Sequence, residues 1–147
     1  MRALLPLSFV LTIAMTAFAA GEDRATVDEA KAMALKAAEF ARQSPSQAIA
    51  DFNTSPKWRD RDLYVVTFDK NVVISANAAL PAMVGKSMKD LKDVDGKPFT
   101  QEMLAVRDQG WVEYKWKNPS SGAVEQKASY VVRVDDDLVV LVGAYKK

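Results

Sequence analysis

The chain has 147 residues, of which 49% are apolar and 27% charged, with 20 basic and 19 acidic side chains. That composition suits one globular domain, large enough to bury roughly two-thirds of its unfolded-chain surface. It contains no cysteine and no histidine, which excludes disulfides, Ser-His-Asp and Cys-His nucleophiles, and histidine-based zinc, haem or facial-triad sites.

A leader comes first. Met1 and Arg2 precede an apolar run from Ala3 to Phe18 that closes on Ala17-Phe18-Ala19. A basic start, an apolar middle and a small-x-small cleavage site describe a secretory signal peptide cut after Ala19. The alternative is a retained anchor, but the run is short for a span and Pro6 interrupts it. Removing residues 1–19 takes away one arginine and no acid, leaving 19 basic and 19 acidic side chains. Zero net charge argues against a nucleic-acid-binding face and against a polybasic membrane surface. Export without cysteine fits a bacterial periplasm. Residues 20–147 are expected to form one domain with no membrane span.

Thr26 and Glu29 form a capping box at the start of a helix. Val27, Ala30, Met33, Ala34, Ala37, Phe40 and Ala41 recur at helical spacing and give it one apolar stripe. Ser44, Pro45 and Gln47 predict a second capping box and a short helix that buries Ala48, Ile49 and Phe52. The period changes at Leu63. Residues 63–68 read as a strand, Asp69-Lys70-Asn71 as a turn, and Val72 to Ala76 as the returning strand.

Asn77 to Gln109 is not sheet-like. Leu80-Pro81 marks a loop, Ser87 to Leu91 a helical turn and Asp95-Gly96 another turn. Phe99 to Gln109 reads as a helix with Gly110 as its C-cap. An excursion this long is usually functional. Three strands follow: Trp111 to Lys117, Val124 to Val134, and Leu138 to Tyr145 after the Asp135-Asp136-Asp137 turn. The expected fold is α+β, a five-stranded, mostly antiparallel sheet with helices on one face and the excursion on the other.

The strands carry Tyr114, Trp116, Lys127, Tyr130 and Tyr145. Aromatics with a few polar groups line small-molecule pockets. Lys127 suits an anion, because Ala128 and Ser129 beside it do not neutralise it. The bland alternative is that Tyr114 and Trp116 are ordinary strand core and Lys127 a solvated lysine. The Asp135–Asp137 turn and the Asp93-Val94-Asp95-Gly96-Lys97 segment lack the spaced ligands of a calcium loop, so no metal or cofactor is expected. Only Glu113, Asp108 and the tyrosines could act as acid or base, at no telling spacing, and the chain is not expected to be an enzyme.

Several runs occur in the order of a known family. They are Ile49-Ala50-Asp51-Phe52-Asn53, Asp62-Leu63-Tyr64-Val65, Ala76-Asn77 leading to Leu80-Pro81-Ala82-Met83-Val84-Gly85-Lys86, and Asp93 to Phe99. Gly110-Trp111-Val112-Glu113-Tyr114-Lys115-Trp116-Lys117-Asn118-Pro119, Lys127-Ala128-Ser129-Tyr130-Val131 and Val142-Gly143-Ala144-Tyr145 complete the series. The sequence resembles the single Cache domains of the second type, which are extracytoplasmic and PAS-like. The resemblance implies a long N-terminal helix on a five-stranded antiparallel sheet. It implies a sensor module of chemoreceptors and kinases, with short carboxylates such as pyruvate or acetate-like acids as ligands. The pocket would lie between sheet and excursion and draw on Tyr114, Trp116, Lys127, Tyr130 and Tyr145. Where relatives often carry a histidine in a His-x-x-x-Pro-like stretch, this sequence has Asn77, which hydrogen-bonds but cannot switch charge near neutral pH. Only Lys146 and Lys147 follow the last predicted strand, so the expected function is binding of a small organic anion without an attached output domain. The alternative is a ligand-free interaction module that docks on a membrane-bound receptor or kinase.

Overall fold

The computed structural model describes residues 24–146. The expected leader and cleavage site lie outside the described residues. Among the described residues, no helix is long and apolar enough to cross a membrane.

The chain opens with α1 (Val27–Gln43), held by the expected capping box between Thr26 and Glu29. Its buried stripe is all alanine: Ala30, Ala34, Ala37, Ala38 and Ala41. Small side chains let the helix axis approach the sheet closely. Val27, expected in that stripe, is instead exposed. Helix α2 (Pro45–Thr54) follows, with Pro45 in the first turn. Ser44 is its N-cap residue but makes no side-chain cap, so the second capping box does not form. The Ser44 backbone instead closes α1 by donating to the Phe40 carbonyl at 3.0 Å. Phe40, Phe52 and Trp58 pack as an aromatic cluster at this end, with Phe52 edge-on to Trp58 at 4.8 Å.

Six antiparallel strands form the sheet. A two-residue strand, β1 (Arg59–Asp60), precedes the five expected ones. It is followed by β2 (Leu63–Phe68) and β3 (Ile74–Asn77), then β4 (Gln109–Lys117), β5 (Val124–Asp135) and β6 (Leu138–Tyr145). Across the sheet the order is β1, β2, β6, β5, β4, with β3 also paired to β2. The returning strand starts at Ile74 rather than Val72, because Asp69 Oδ1 accepts the amides of Asn71 and Val73 and prolongs the turn.

Period-two alternation divides the sheet into two faces. Leu63, Val65, Tyr130, Val132, Val140, Val142 and Ala144 pack on α1 and its aromatic neighbours. Tyr64, Val66, Phe68, Val112, Tyr114, Val131, Leu141 and Tyr145 pack on the excursion. In that excursion a 3₁₀ turn forms at Pro81–Met83, whereas Ser87 pairs with Val73 as an isolated bridge and a turn follows at residues 89–90. Helix α3 is shorter than expected and spans Phe99–Ala105. Arg133 ends it: the guanidinium donates to the carbonyls of Leu104 at 2.6 Å and Val106 at 2.9 Å. Gly110, expected as a helix C-cap, lies inside β4.

Candidate functional site

A cavity of about 50 Å³ lies between the sheet and the excursion. Tyr64 and Val66 of β2, Tyr114 and Trp116 of β4, Lys127 of β5 and Leu141 of β6 form its floor. Asn77, Met83, Met88, Phe99, Thr100 and Met103 supply the roof and walls. Phe99 stacks flat on Tyr114, with centroids 4.2 Å apart, and thereby fixes the phenol.

Lys127 is the central group. It is 1% exposed, and its ammonium lies 4.2 Å from the centroid of the Tyr64 ring and 4.9 Å from that of Tyr145. Nζ donates to the Tyr64 hydroxyl at 3.0 Å. Among the described residues, no carboxylate pairs with it. A buried cation without a counter-ion is costly, and ring faces and hydroxyls offset only part of that cost.

One hydrogen-bond chain leads away from Lys127. The Tyr145 hydroxyl donates to the Lys117 carbonyl at 3.2 Å and lies 3.0 Å from the Tyr64 hydroxyl. A phenol has one proton. Tyr145 spends its proton on the carbonyl, so Tyr64 must donate to Tyr145 and accept from Lys127. Both Tyr64 and Tyr145 are thus fully used, while the ammonium keeps protons for a ligand.

Tyr114 is differently placed. Its hydroxyl meets Ser129 Oγ at 2.9 Å, and Ser129 has no other side-chain partner among the described residues. When Ser129 donates, the Tyr114 proton is free for a bound acceptor. Burial pushes the Tyr114 and Tyr145 phenols above their ordinary value, so both stay neutral. For Lys127, burial opposes the charge, while the Tyr64 oxygen that accepts from Nζ and the ring faces of Tyr64 and Tyr145 favour it. The site is therefore one ammonium among neutral donors and apolar walls.

Of the residues singled out in the sequence, Lys127, Tyr114, Trp116 and Asn77 line the cavity. Tyr145 sits one step behind, through Tyr64. Asn77 Oδ1 caps the amides of Ala79 and Leu80, and its carboxamide N–H groups have no partner among the described residues. Tyr130 is not brought to this site. It faces α1, donates to Gln109 at 2.7 Å, and packs on Trp111 under the Lys31 ammonium. Positions 127 and 130 differ by three, so a strand directs them to opposite faces. Tyr64, Ser129 and Phe99 were missed as site residues. Only the parity of Tyr64 with Val66 and Phe68 could have pointed to the first.

The fold has counterparts among known proteins. The sequence profile of one family, Single Cache domain 2, matches residues 9–147. The chain belongs to that family. Cache domains are extracytoplasmic, ligand-sensing domains. The chain is also 30% identical over 107 residues to the sensor histidine kinase MctS of Rhizobium johnstonii, covering 70% of this chain and 23% of the kinase. It thus spans about a quarter of that relative's length. Solved structures share the fold, three sensor proteins among them. A methyl-accepting chemotaxis protein from Vibrio parahaemolyticus aligns with a TM-score of 0.67 at 22% identity, over 80% of this chain and 86% of its own. A periplasmic sensor domain of a chemotaxis protein aligns at 0.63 and 21%, over 82% and 90%. A Cache chemosensory domain solved to explain carboxylic acid recognition aligns at 0.62 and 21%, over 82% and 88%.

Proposed function

We propose that this Cache domain binds a short monocarboxylate in the periplasm, with the carboxylate on Lys127 and Tyr114. The observation that carries this reading is the buried Lys127 ammonium without a carboxylate partner. A ligand carboxylate would supply the missing charge, and charge-assisted bonds in a dry site are the strong ones. One cation with no second one in the cavity favours a single acid group. A water needs about 10–15 Å³ of such space, so about 50 Å³ suits a short acid of a few heavy atoms. Met83, Met88, Phe99 and Met103 would receive its carbon tail, and the Asn77 amide an oxo or hydroxyl substituent. The shared fold with a domain solved for carboxylic acid recognition supports the same ligand class.

We further propose that the bound state is read by a membrane-bound sensor. The resemblance to part of a histidine kinase and to chemoreceptor domains supports this. Cross-linking in membranes followed by identification of the captured sensor tests it, and capture that ignores the ligand would count against it.

For the binding itself, calorimetry with acetate, propionate, pyruvate and lactate is the direct experiment, with succinate and ethylammonium as controls. The monocarboxylates should bind, the controls should not, and Lys127→Met should weaken binding at least 100-fold. Equal binding by that variant would overturn the reading.

A further inference from the structure

We infer that Trp116 is the gate of the cavity and that the lysine-rimmed groove outside it is the entry port for anions. A second depression, of about 180 Å³, lies on the surface beside the cavity. Lys92, Lys115 and Lys117 rim it, with Val94, Val124 and Asp93 between them. Trp116 lines both spaces and is the wall they share.

The Trp116 ring is suited to swing. It is half-buried, whereas Tyr114 two residues earlier is buried under Phe99. It meets Phe99 edge-on at 5.5 Å and lies tilted to Tyr114 at 6.5 Å, ring contacts that rotation of the indole can exchange. Its indole N–H donates to nothing among the described residues, so no hydrogen bond holds the rotamer.

The rim supplies the charge. Lys92 and Lys117 form no ion pair among the described residues, while Lys115 pairs with Asp95 at 2.8 Å. The Asp93 carboxylate opposes them, but it is turned inward onto the amides of Asp95, Lys97 and Lys115. Cations at the mouth of an apolar cleft raise the local concentration of anions and their on-rate. The gate stands on geometry alone. The anion preference of the port rests on the monocarboxylate reading.

The absence of native cysteine allows a direct test. Met103→Cys places a thiol in the cavity wall, where its thiolate displaces iodide from iodoacetate or from neutral iodoacetamide. In that background, Trp116→Ala should raise both alkylation rates about tenfold or more, whereas Trp111→Ala, on the same strand but packed on Tyr130 across the opposite face, should leave them within about twofold. Lys92→Gln with Lys117→Gln should lower only the iodoacetate rate, by about threefold at low salt, and the effect should vanish near about 1 M salt. An unchanged iodoacetamide rate in Trp116→Ala, or equal acceleration by Trp111→Ala, would overturn the gate. A lysine effect equal for both reagents would overturn the port. These rates need no bound carboxylate, so they can fail while calorimetric binding persists, and the reverse.

Discussion

Gly143 makes room for Lys127. The two lie on adjacent strands, β6 and β5, and a Cβ built on Gly143 would stand 2.1 Å from Lys127 Cε and 2.4 Å from Ser129 Oγ. Gly143 has no left-handed backbone, so conformational freedom is not the reason for glycine here. The reason is space for the lysine stem as it bends beneath the tyrosine rings.

Gly143→Ala should therefore displace Lys127 rather than merely strain a strand. Overpacking of this kind costs about 1–3 kcal/mol. Urea unfolding should report that loss, and monocarboxylate binding should fall with it. A variant as stable as the parent, with intact binding, would mean the lysine has another way to lie.

Tyr145→Phe cuts the chain from Lys127 through Tyr64 to the Lys117 carbonyl. It leaves the Lys117 carbonyl without its phenol donor and the Tyr64 proton without its acceptor, at a cost of about 1–3 kcal/mol. Tyr64 then has a spare proton, and its oxygen no longer needs the lysine in one fixed place. Binding should weaken several-fold without being lost, which isothermal titration resolves.

Low pH acts at a different point. Arg24, just before α1, donates two hydrogen bonds to Glu125 of β5, at 2.7 and 2.8 Å. That pairing, helped by Ser121 and Asn118, holds the Glu125 carboxyl at about 2, well below its ordinary value. A depressed carboxyl stabilises the fold above its unfolded value and loses that contribution as pH falls toward its folded value. Stability should therefore drop between about pH 4.5 and 2, and Glu125→Gln should flatten that part of the profile. Thermal melts across this range check the sign. An unaltered profile in the variant would mean other carboxyls carry the acid sensitivity.

The Asp93 loop should hold the roof of the cavity to the sheet edge. Asp93 Oδ1 accepts the amides of Asp95 and Lys97, and Oδ2 accepts the amide of Lys115 in β4 at 3.0 Å. Asp93→Ala should speed hydrogen exchange at Lys97 and Lys115 by about tenfold or more, with little change in α1. Uniform acceleration across the chain would instead indicate global destabilisation.

Much of this fold is legible in the sequence because its signals are local. The Thr26–Glu29 box fixes where α1 begins, and residues 63–68 alternate over a strand found with the same bounds. The overrun of α3 has a non-local cause. Leu104, Ala105 and Val106 continue a helical pattern, but Arg133, 27 residues beyond Val106, takes the carbonyls there. The two-residue β1 is too short to show a period. For the site, residue type pointed to Lys127, Tyr114 and Trp116, but type alone cannot tell the two faces of β5 apart. Tyr130 was grouped with Lys127 on chemistry and is separated from it by parity. Nothing in the residue type of Tyr64 sets it apart from its β-forming neighbours. Its hydroxyl matters because pairing of β2, β6 and β5 brings it to a lysine 63 residues away.

The most direct measurement is isothermal titration of propionate and pyruvate into residues 20–147, with the parent chain beside Lys127→Met. The expected result is one-site binding to the parent, at least 100-fold weaker in the variant, with unfolding still cooperative in both. Binding that survives the loss of the ammonium, or a parent chain that binds neither acid, would contradict the assignment of Lys127 as the anchor for the ligand's carboxylate.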